Sequence, residues 1–459
     1  MRKLIFSVTT ISCLIVASST LFSAVSAETK QADQPQRSDR QISRTDYQSK
    51  LHGFWLGQSI ANWTGLVTEG DRNEAPFYTD ADWGTLDHPN TWGGYKAHSS
   101  TIDFFLVDKE RVWGSDDDTD IEYIYQYLLE THKTSFLTGT QIKDGWLKHI
   151  YSNEDGRIAL DGFNRENHLW VSNESAYYLM KDKGLISPAT SDPQNNPNYN
   201  MIDAQLTTEI FGLFAPSRPD VALKMAHLPI RLTAAAEAED IAQFYVIMHA
   251  LASSVDQSLS IKAQTRWMAA EARAHLPDDG YPAAMYDFVK AAYDKNPNSD
   301  AWEGTRDAVY HVFQLGGRAG YKYEQLFDAG INFAGGMVSL FYGEGDIKRT
   351  IQIGTLTGWD SDNPTATWGG MLGFMLGRDG VAKAFGRDDL SELYWITRTR
   401  RNFPDRTPKA LGEDSFSMMA TRGLAIIDRV ITDEMGGHVD KKKGIWHIPV
   451  STGLSNGTP

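Results

Sequence analysis

The sequence predicts an all-α protein built as a single compact multi-helix domain. After the acidic stretch GSDDDTDIE at 114–122, apolar residues recur at the spacing of a buried helix. Helical spacing also occurs further along the chain, at 138–149, 234–252, 258–275, 283–293, 308–315 and 387–432. No internal repeat and no alternating pattern of a half-buried strand is evident. These observations favour a helical bundle around one core.

The N-terminus predicts export. The first 27 residues have the pattern of a secretory signal peptide, with a charged start, an apolar stretch and a cleavage site at Val25-Ser26-Ala27. The polar residues 28–45 predict a disordered leader, which leaves 46–459 as the folded domain. Cleavage would remove Cys13, the only cysteine, so the mature chain would have no disulfide. We therefore expect a periplasmic or secreted protein without membrane attachment after signal cleavage.

Charge and composition narrow the class of partner. The formal net charge is −15 at pH 7, which argues against a nucleic acid or an anionic membrane as partner. Aromatic residues make up 11% of the chain, enough for a large core and a stacking cleft. The partner expected is a small-molecule or glycan substrate. A phosphorylated substrate remains compatible, because bound cations reverse the local field.

An acidic cluster at residues 116–120 is the strongest chemical signal. Asp116, Asp117, Asp118 and Asp120 place four carboxylates in five positions, with Thr119 among them. Helix capping is the alternative explanation, but it needs one or two such groups rather than four. Carboxylates this close raise each other's pKa and resist joint ionisation unless a cation lies among them. The cluster therefore predicts a metal site at the start of a helix.

A second acidic stretch, GWDSDNPTATWGGMLGFMLG, begins at Gly358. Asp360 and Asp362, called the acidic pair below, lie in a short break. Asn363 is predicted to be the N-cap of the next helix and Pro364 its first residue. The glycines that follow are costly inside a helix, so they predict close approach of another backbone. The acidic cluster and the acidic pair thus look like two halves of one oxygen-rich cation site.

Three stretches together carry a family resemblance. HGFWLGQSIANWTGLVTEG from His52, then DDDTD, then GWDSDNPTATWGGMLG, in this order, resemble the ADP-ribosylglycohydrolase family, of the dinitrogenase reductase-activating glycohydrolase type. IDAQLTTEIFGLFAPSRPDVA from Ile202 and INFAGGMVSLFYGEGD from Ile331 are also similar. With its signal peptide, the chain looks like an exported subgroup. The resemblance implies an all-α fold with a binuclear Mg²⁺ or Mn²⁺ centre that hydrolyses a glycosidic bond.

The resemblance also implies roles for single residues. The metal ligands would be Asp116, Asp117, Asp118, Thr119, Asp360, Asp362 and Asn363. The cations would lower the pKa of a bridging water, and Glu69 or Asp120 would assist proton transfer. Without the family, a solvated loop acid is an equally good interpretation of Glu69. Asn173 and Glu209 are candidates for substrate contacts.

Departures from the family pattern keep other functions open. Ala234 and Ala235 stand where many members have a polar pair, and Asn363 stands where threonine is common. The favoured function is an exported metal-dependent hydrolase of an N- or O-glycosidic bond. One alternative is a metal-free glycosidase that uses two carboxylates on an extracellular carbohydrate. Another is a non-catalytic, metal-stabilised ligand-binding protein. The substrate could be an ADP-ribosyl compound, a nucleoside or a carbohydrate.

Overall fold

The computed structural model describes residues 39–87, 100–158, 165–407 and 413–450, with only the backbone of Asp118. These residues lie in one compact unit, Ser38–Pro459. The predicted signal peptide and residues 28–38 of the predicted leader are outside the described part. Among the helices that the structure does describe, none has the length and apolar character needed to cross a membrane.

The described chain is mainly helical, which confirms the all-α prediction. The α-helices are α1 Arg44–Gly65, α2 Asp117–His132, α3 Gly139–His149, α4 Val171–Lys183, α5 Asp203–Thr207, α6 Ile210–Phe214, α7 Pro219–Thr233, α8 Glu237–Leu251, α9 Ile261–Arg273, α10 Tyr281–Lys295, α11 Trp302–Val309, α12 Ala329–Gly343, α13 Ile347–Thr357, α14 Asp362–Phe385 and α15 Phe416–Asp433. A π-helical turn, Tyr310–Leu315, continues α11.

Short strands, which the sequence pattern did not reveal, lie beside the helices. They are β1 Arg40–Ser43, β2 Trp113–Gly114, β3 Arg157–Ile158, β4 Arg165–Glu166, β5 Leu393–Trp395, β6 Glu413–Ser415, β7 His438–Asp440 and β8 Ile445–Ile448. They form small sheets in the orders β1-β8-β7, β2-β5-β6 and β3-β4. Strands of two to four residues are too short to show an alternating pattern, so periodicity could not find them.

Two boundaries differ from the sequence prediction. The leader was predicted to extend to residue 45, but β1 pairs with β8 from Arg40 and α1 begins at Arg44. Partner strands from the far end of the chain order this polar segment, which composition cannot indicate. Residues 387–432 were predicted to be mostly helical, but among the described residues of this range, which exclude 408–412, α15 is the only α-helix. The preceding residues form β5, β6 and a 3₁₀ turn, Ile396–Arg398.

The close crossing of α1 and α14 positions the site. A Cβ atom added to Gly57 would lie 2.3 Å from the carbonyl oxygen of Gly369, so only glycine allows this contact. The predicted close backbone approach is therefore confirmed. At the end of α1, a Cβ atom on Gly65 would lie 2.5 Å from Cα of Asp362. The crossing thus brings the loop after α1 against the first turn of α14.

The acidic cluster and the acidic pair both lie at the N-terminus of a helix. Asp116 is the N-cap of α2, and its side chain accepts a hydrogen bond from the backbone N–H of Asp117 at 3.0 Å. The prediction that a helix starts inside the acidic cluster is confirmed. The N-cap prediction for Asn363 is wrong, because α14 already begins at Asp362 and Ser361 precedes it. Asn363 therefore lies in the first helical turn.

Candidate metal centre

Glu69, Asp360 and Asp362 form a compact carboxylate trio. One carboxylate oxygen from each lies within 4.8 Å of the others. Asp360 and Asp362 are buried, whereas Glu69 keeps part of its surface exposed. Within the described residues, no basic side chain pairs with Glu69 or Asp360. The carboxylates of Glu69 and Asp360 therefore lie close together without a basic side chain paired to either one in the described part of the chain.

Burial and repulsion between carboxylates raise the pKa values of Glu69 and Asp360. Burial raises the pKa of Glu69 well above its ordinary value, and the carboxylate of Asp362 adds to the effect. Burial likewise raises the pKa of Asp360, followed by the charges of Asp362 and Glu69. Buried carboxylates in this state either hold protons or receive a cation.

The acidic cluster faces the trio. Burial raises the pKa of Asp117 well above its ordinary value, and the carboxylates of Asp116, Asp120 and Asp362 raise it further. The charges of Asp116 and Asp117 also act on Glu69. One carboxylate oxygen of Asp116 is buried and has no hydrogen-bond partner among the described residues. The structure thus brings together the N-terminus of α2 and the acidic pair, which are far apart in sequence.

The other predicted ligands differ in their availability. The Thr119 hydroxyl is buried and lies 2.7 Å from the Tyr394 hydroxyl, so a protein partner already occupies it. The buried amide nitrogen of Asn363 has no partner in the described part of the chain, but an amide binds a cation through its oxygen, so the ligand role of Asn363 stays a prediction. The side chain of Asp118 is outside the described atoms, so its predicted role stays a prediction.

Asp120 has a different environment from the one expected of a proton-transfer residue. It forms a completely buried ion pair with Arg400, with Nε and the carboxylate oxygen 2.9 Å apart. The Thr399 hydroxyl donates to the same carboxylate at 2.5 Å. Burial raises the pKa of Asp120 to about 6, against the opposing effect of Arg400. These contacts tie α2 to the segment after β5.

Glu209, also predicted to contact the substrate, lies in the interior of the helical bundle. Its side chain is fully buried and accepts a hydrogen bond from Thr367 at 3.1 Å. Thr367 lies five residues beyond Asp362 in α14, roughly 7.5 Å along the helix axis. Burial and the carboxylate of Glu122 raise the pKa of Glu209. Glu209 therefore belongs to a buried pair with Glu122, and its predicted substrate contact stays a prediction.

Asn173 is the other residue for which a substrate contact was predicted, and that role stays a prediction. The side chain is buried, and neither of its amide atoms has a hydrogen-bond partner within the described residues. Its backbone N–H donates to Asp203 at 3.2 Å, and the Asp203 charge in turn raises the pKa of Asp360. The buried amide of Asn173 thus has free hydrogen-bonding capacity among the described residues, and its backbone is bound to Asp203.

Sequence reasoning missed two acids near the trio. Asp203 accepts hydrogen bonds from Ser172 and Asn173, and burial raises its pKa to about 6. Asp71 accepts a hydrogen bond from Tyr78 at 2.7 Å, and burial raises its pKa to about 7. Asp203 lay inside one of the family-like stretches, but a single aspartate before a helix looks like a cap. Asp71 follows Glu69 by two residues, and this spacing was the one signal in the sequence that could have identified Asp71 as part of the site.

The donor set fits a hard divalent cation. The trio and Asp117 offer carboxylate oxygens, and Asn363 would offer an amide oxygen. Neither histidine nor cysteine belongs to the trio. Oxygen donors of this kind suit Mg²⁺ and Mn²⁺ rather than Zn²⁺.

Comparison with known proteins identifies the family of the chain. The family model described as ADP-ribosylglycohydrolase matches residues 43–413. A solved structure titled "ADP-ribosylglycohydrolase-related protein complex" is similar at 14% identity and a TM-score of 0.44, covering 83% of this chain and 98% of that chain. No curated protein matches the chain. The family match covers most of the sequence, and the chain therefore belongs to the ADP-ribosylglycohydrolase family.

Proposed function

We propose that this protein is a metal-dependent hydrolase that cleaves an N- or O-glycosidic bond with two Mg²⁺ or Mn²⁺ ions. Family membership supports a glycohydrolase of the ADP-ribosylglycohydrolase type. The observation that carries the metal requirement is the carboxylate trio, whose oxygens lie within 4.8 Å of one another. Asp117 faces this trio from α2, so acids from two distant parts of the chain share one negative region.

The metal ligands would come from both acidic stretches. Asp360 and Asp362 would bind from the start of α14, and Asp117 from the start of α2. Asp116 and Asp118 remain candidates next to Asp117, and Asn363 would bind through its amide oxygen. Thr119 is a weaker candidate, because its hydroxyl already bonds to Tyr394. When bound, such cations lower the pKa of a bridging water and orient sugar hydroxyls.

Glu69 is the residue best placed for proton transfer. It belongs to the trio but, unlike Asp360 and Asp362, it is partly exposed, so water and substrate can reach it. A general base has to lie within hydrogen-bond reach of the reacting water. Asp120 lacks this access because it is completely buried against Arg400. We therefore assign proton transfer to Glu69 and a positioning role to Asp120.

Asn173 would bind the substrate. Its buried amide offers both a donor and an acceptor without partners in the described structure. An unpaired buried amide is costly, and a sugar hydroxyl would satisfy both atoms. Asp203 accepts a hydrogen bond from the backbone N–H of Asn173, and its charge acts on Asp360 of the trio.

Export remains part of this proposal, supported by the signal-like first 27 residues. A periplasmic or secreted enzyme would meet an extracellular small-molecule or glycan glycoside. The second candidate function is a metal-stabilised binding protein without turnover. The buried Ala234 and Ala235, at positions where the family often has polar residues, favour that alternative.

A glycoside panel separates the two candidates. The purified protein is incubated with ADP-ribosyl, nucleoside and carbohydrate glycosides, with Mg²⁺, with Mn²⁺ and with a chelator. We expect sugar release from one class, lost on chelation and in Asp360→Asn. Asp379→Asn is the matched control, because Asp379 lies on α14, the helix that follows Asp360, with its side chain 94% exposed. Binding of a glycoside without release would support the binding protein.

A further inference from the structure

Two backbone hydrogen bonds place Glu69 beside Asp360. The N–H of Gly70 donates to the carbonyl oxygen of Trp359 at 2.8 Å. The N–H of Trp359 donates to the carbonyl oxygen of Arg72 at 2.7 Å. Gly70 follows Glu69, and Trp359 precedes Asp360. Trp359 is therefore the residue through which the loop after α1 and the acidic pair are joined.

The backbone of Trp359 is in an unfavourable conformation. Its φ is 58°, in the left-handed region that a bulky residue rarely adopts. Such a conformation persists only where the surroundings enforce it, and it is often found at functional sites. The side chain of Trp359 must therefore be held firmly for this geometry to last.

Gln314 holds that side chain. The indole Nε1–H of the completely buried Trp359 donates to Oε1 of Gln314 at 2.7 Å. The other end of the same amide donates from Nε2 to the carbonyl oxygen of Asn73 at 2.9 Å. One side chain thus connects Trp359 to the loop that carries Glu69. Gln314 lies in the π-helical turn, a rare feature that frequently marks functional sites.

Arg306 connects the same two segments from α11. Its guanidinium donates to the carbonyl oxygens of Leu356 and Thr357 at the end of α13, at 3.2 and 3.4 Å. It also donates to the carbonyl oxygen of Tyr78 in the loop after α1, at 3.0 Å. Helix α11 and the π-helical turn therefore contact both segments that meet at Trp359, which are the loop after α1 and the segment at the end of α13.

We propose that Gln314 and Trp359 are a positioning pair that sets the separation between Glu69 and the acidic pair in the metal centre. This inference rests on the proposed metal-dependent function. Residues that hold metal ligands in place fix the orientation of those ligands. Loss of such a residue commonly weakens metal binding by about 10- to 100-fold. A pair that only filled space would affect stability and leave metal affinity unchanged.

The test compares Trp359→Phe, Gln314→Met and the double variant. Mn²⁺ affinity is measured by calorimetry at a temperature where each variant is folded, beside the melting temperature of the metal-free protein. We expect each single variant to bind Mn²⁺ about 10-fold or more weakly. The double variant should be scarcely weaker than either single one, because both remove the same hydrogen bond.

Trp446→Phe is the matched control. Trp446 is also completely buried, and its indole donates to Asp428 at 2.7 Å in the region of the terminal sheet. It should lower the melting temperature and leave Mn²⁺ affinity unchanged. If Trp359→Phe and Gln314→Met both bind Mn²⁺ with wild-type affinity, the positioning role is overturned and the proposed function is not. A wild-type protein that binds no Mn²⁺ or Mg²⁺ would overturn the proposed function and this inference with it.

Discussion

Asp120 and Arg400 form an ion pair at 2.9 Å in which both side chains are completely buried. Arg400 also donates to the carbonyl oxygens of Asn167 and His168, at 2.7 and 2.6 Å. The pair therefore ties the acidic cluster on α2 to the segment that leads to Asn173. Asp120, the last acid of the cluster, thus stabilises the site through Arg400, while Asp117 faces the trio.

Breaking this pair should destabilise the fold. Asp120→Asn leaves a buried guanidinium without a counter-charge, and we expect a loss of about 3–5 kcal/mol in the free energy of unfolding. Urea unfolding of the metal-free protein measures it. The control is Asp287→Asn, which removes an exposed partner of Arg273 and should change little. A loss in Asp120→Asn no larger than in the control would contradict the structural role of the pair.

The α1–α14 crossing predicts opposite effects for two glycine substitutions. Gly57→Ala would place Cβ 2.3 Å from a backbone oxygen that cannot move aside. We expect it to destabilise the protein by about 1–3 kcal/mol. Gly304→Ala, in α11 with nothing within 4 Å of the added Cβ, should stabilise by about 0.5–1 kcal/mol. Thermal unfolding of both variants tests the crossing; a neutral Gly57→Ala would contradict it.

The buried Glu122–Glu209 pair predicts a pH dependence of stability. Burial raises the pKa of Glu122 to about 8, although Gln58 and the backbone N–H of Ile210 donate to it. The folded pKa is above the unfolded one, so the protonated form favours the folded state. This contribution is complete at acidic pH and is lost as pH rises through about 8.

Glu122→Gln should remove part of that dependence, because glutamine resembles the protonated acid. Urea unfolding between pH 5 and pH 9, with chelator present, compares it with the wild type. Each extra proton held by the folded state contributes about 1.4 kcal/mol per pH unit. We expect a flatter profile in the variant and a relative gain at high pH. Parallel profiles would show that the pair does not hold an extra proton.

Asn173→Ala should affect substrate binding and leave metal binding intact. The change removes an amide whose donor and acceptor have no partner in the described part of the chain. We expect kcat/KM on the glycoside that the panel identifies to fall about 10-fold or more, as for a lost buried hydrogen bond to substrate. Mn²⁺ affinity is the internal control. Unchanged kcat/KM would remove Asn173 from the substrate site.

The sequence predicted the fold class and the main acids of the site because both have local signals. Helical spacing is repeated along the chain, and the acidic cluster and the acidic pair are each compact in sequence. Asp203 was missed because its significance comes from Asp360, which is distant in the chain. Arg400 was missed because its partner Asp120 is 280 residues away in sequence and β5 lies in a segment that looked helical. Pairings over such distances leave no local pattern.

Metal stoichiometry is the measurement that tests the central claim most directly. Chelator-treated wild-type protein, Asp362→Asn and Asp379→Asn are titrated with Mn²⁺ and with Mg²⁺ in a calorimeter. We predict that the wild type and Asp379→Asn take up two equivalents and that Asp362→Asn loses at least one of them. Uptake should also raise the melting temperature, because the cation binds only the folded state. A wild type that binds neither cation, or an Asp362→Asn that binds like the wild type, would contradict a metal centre between the acidic cluster and the acidic pair.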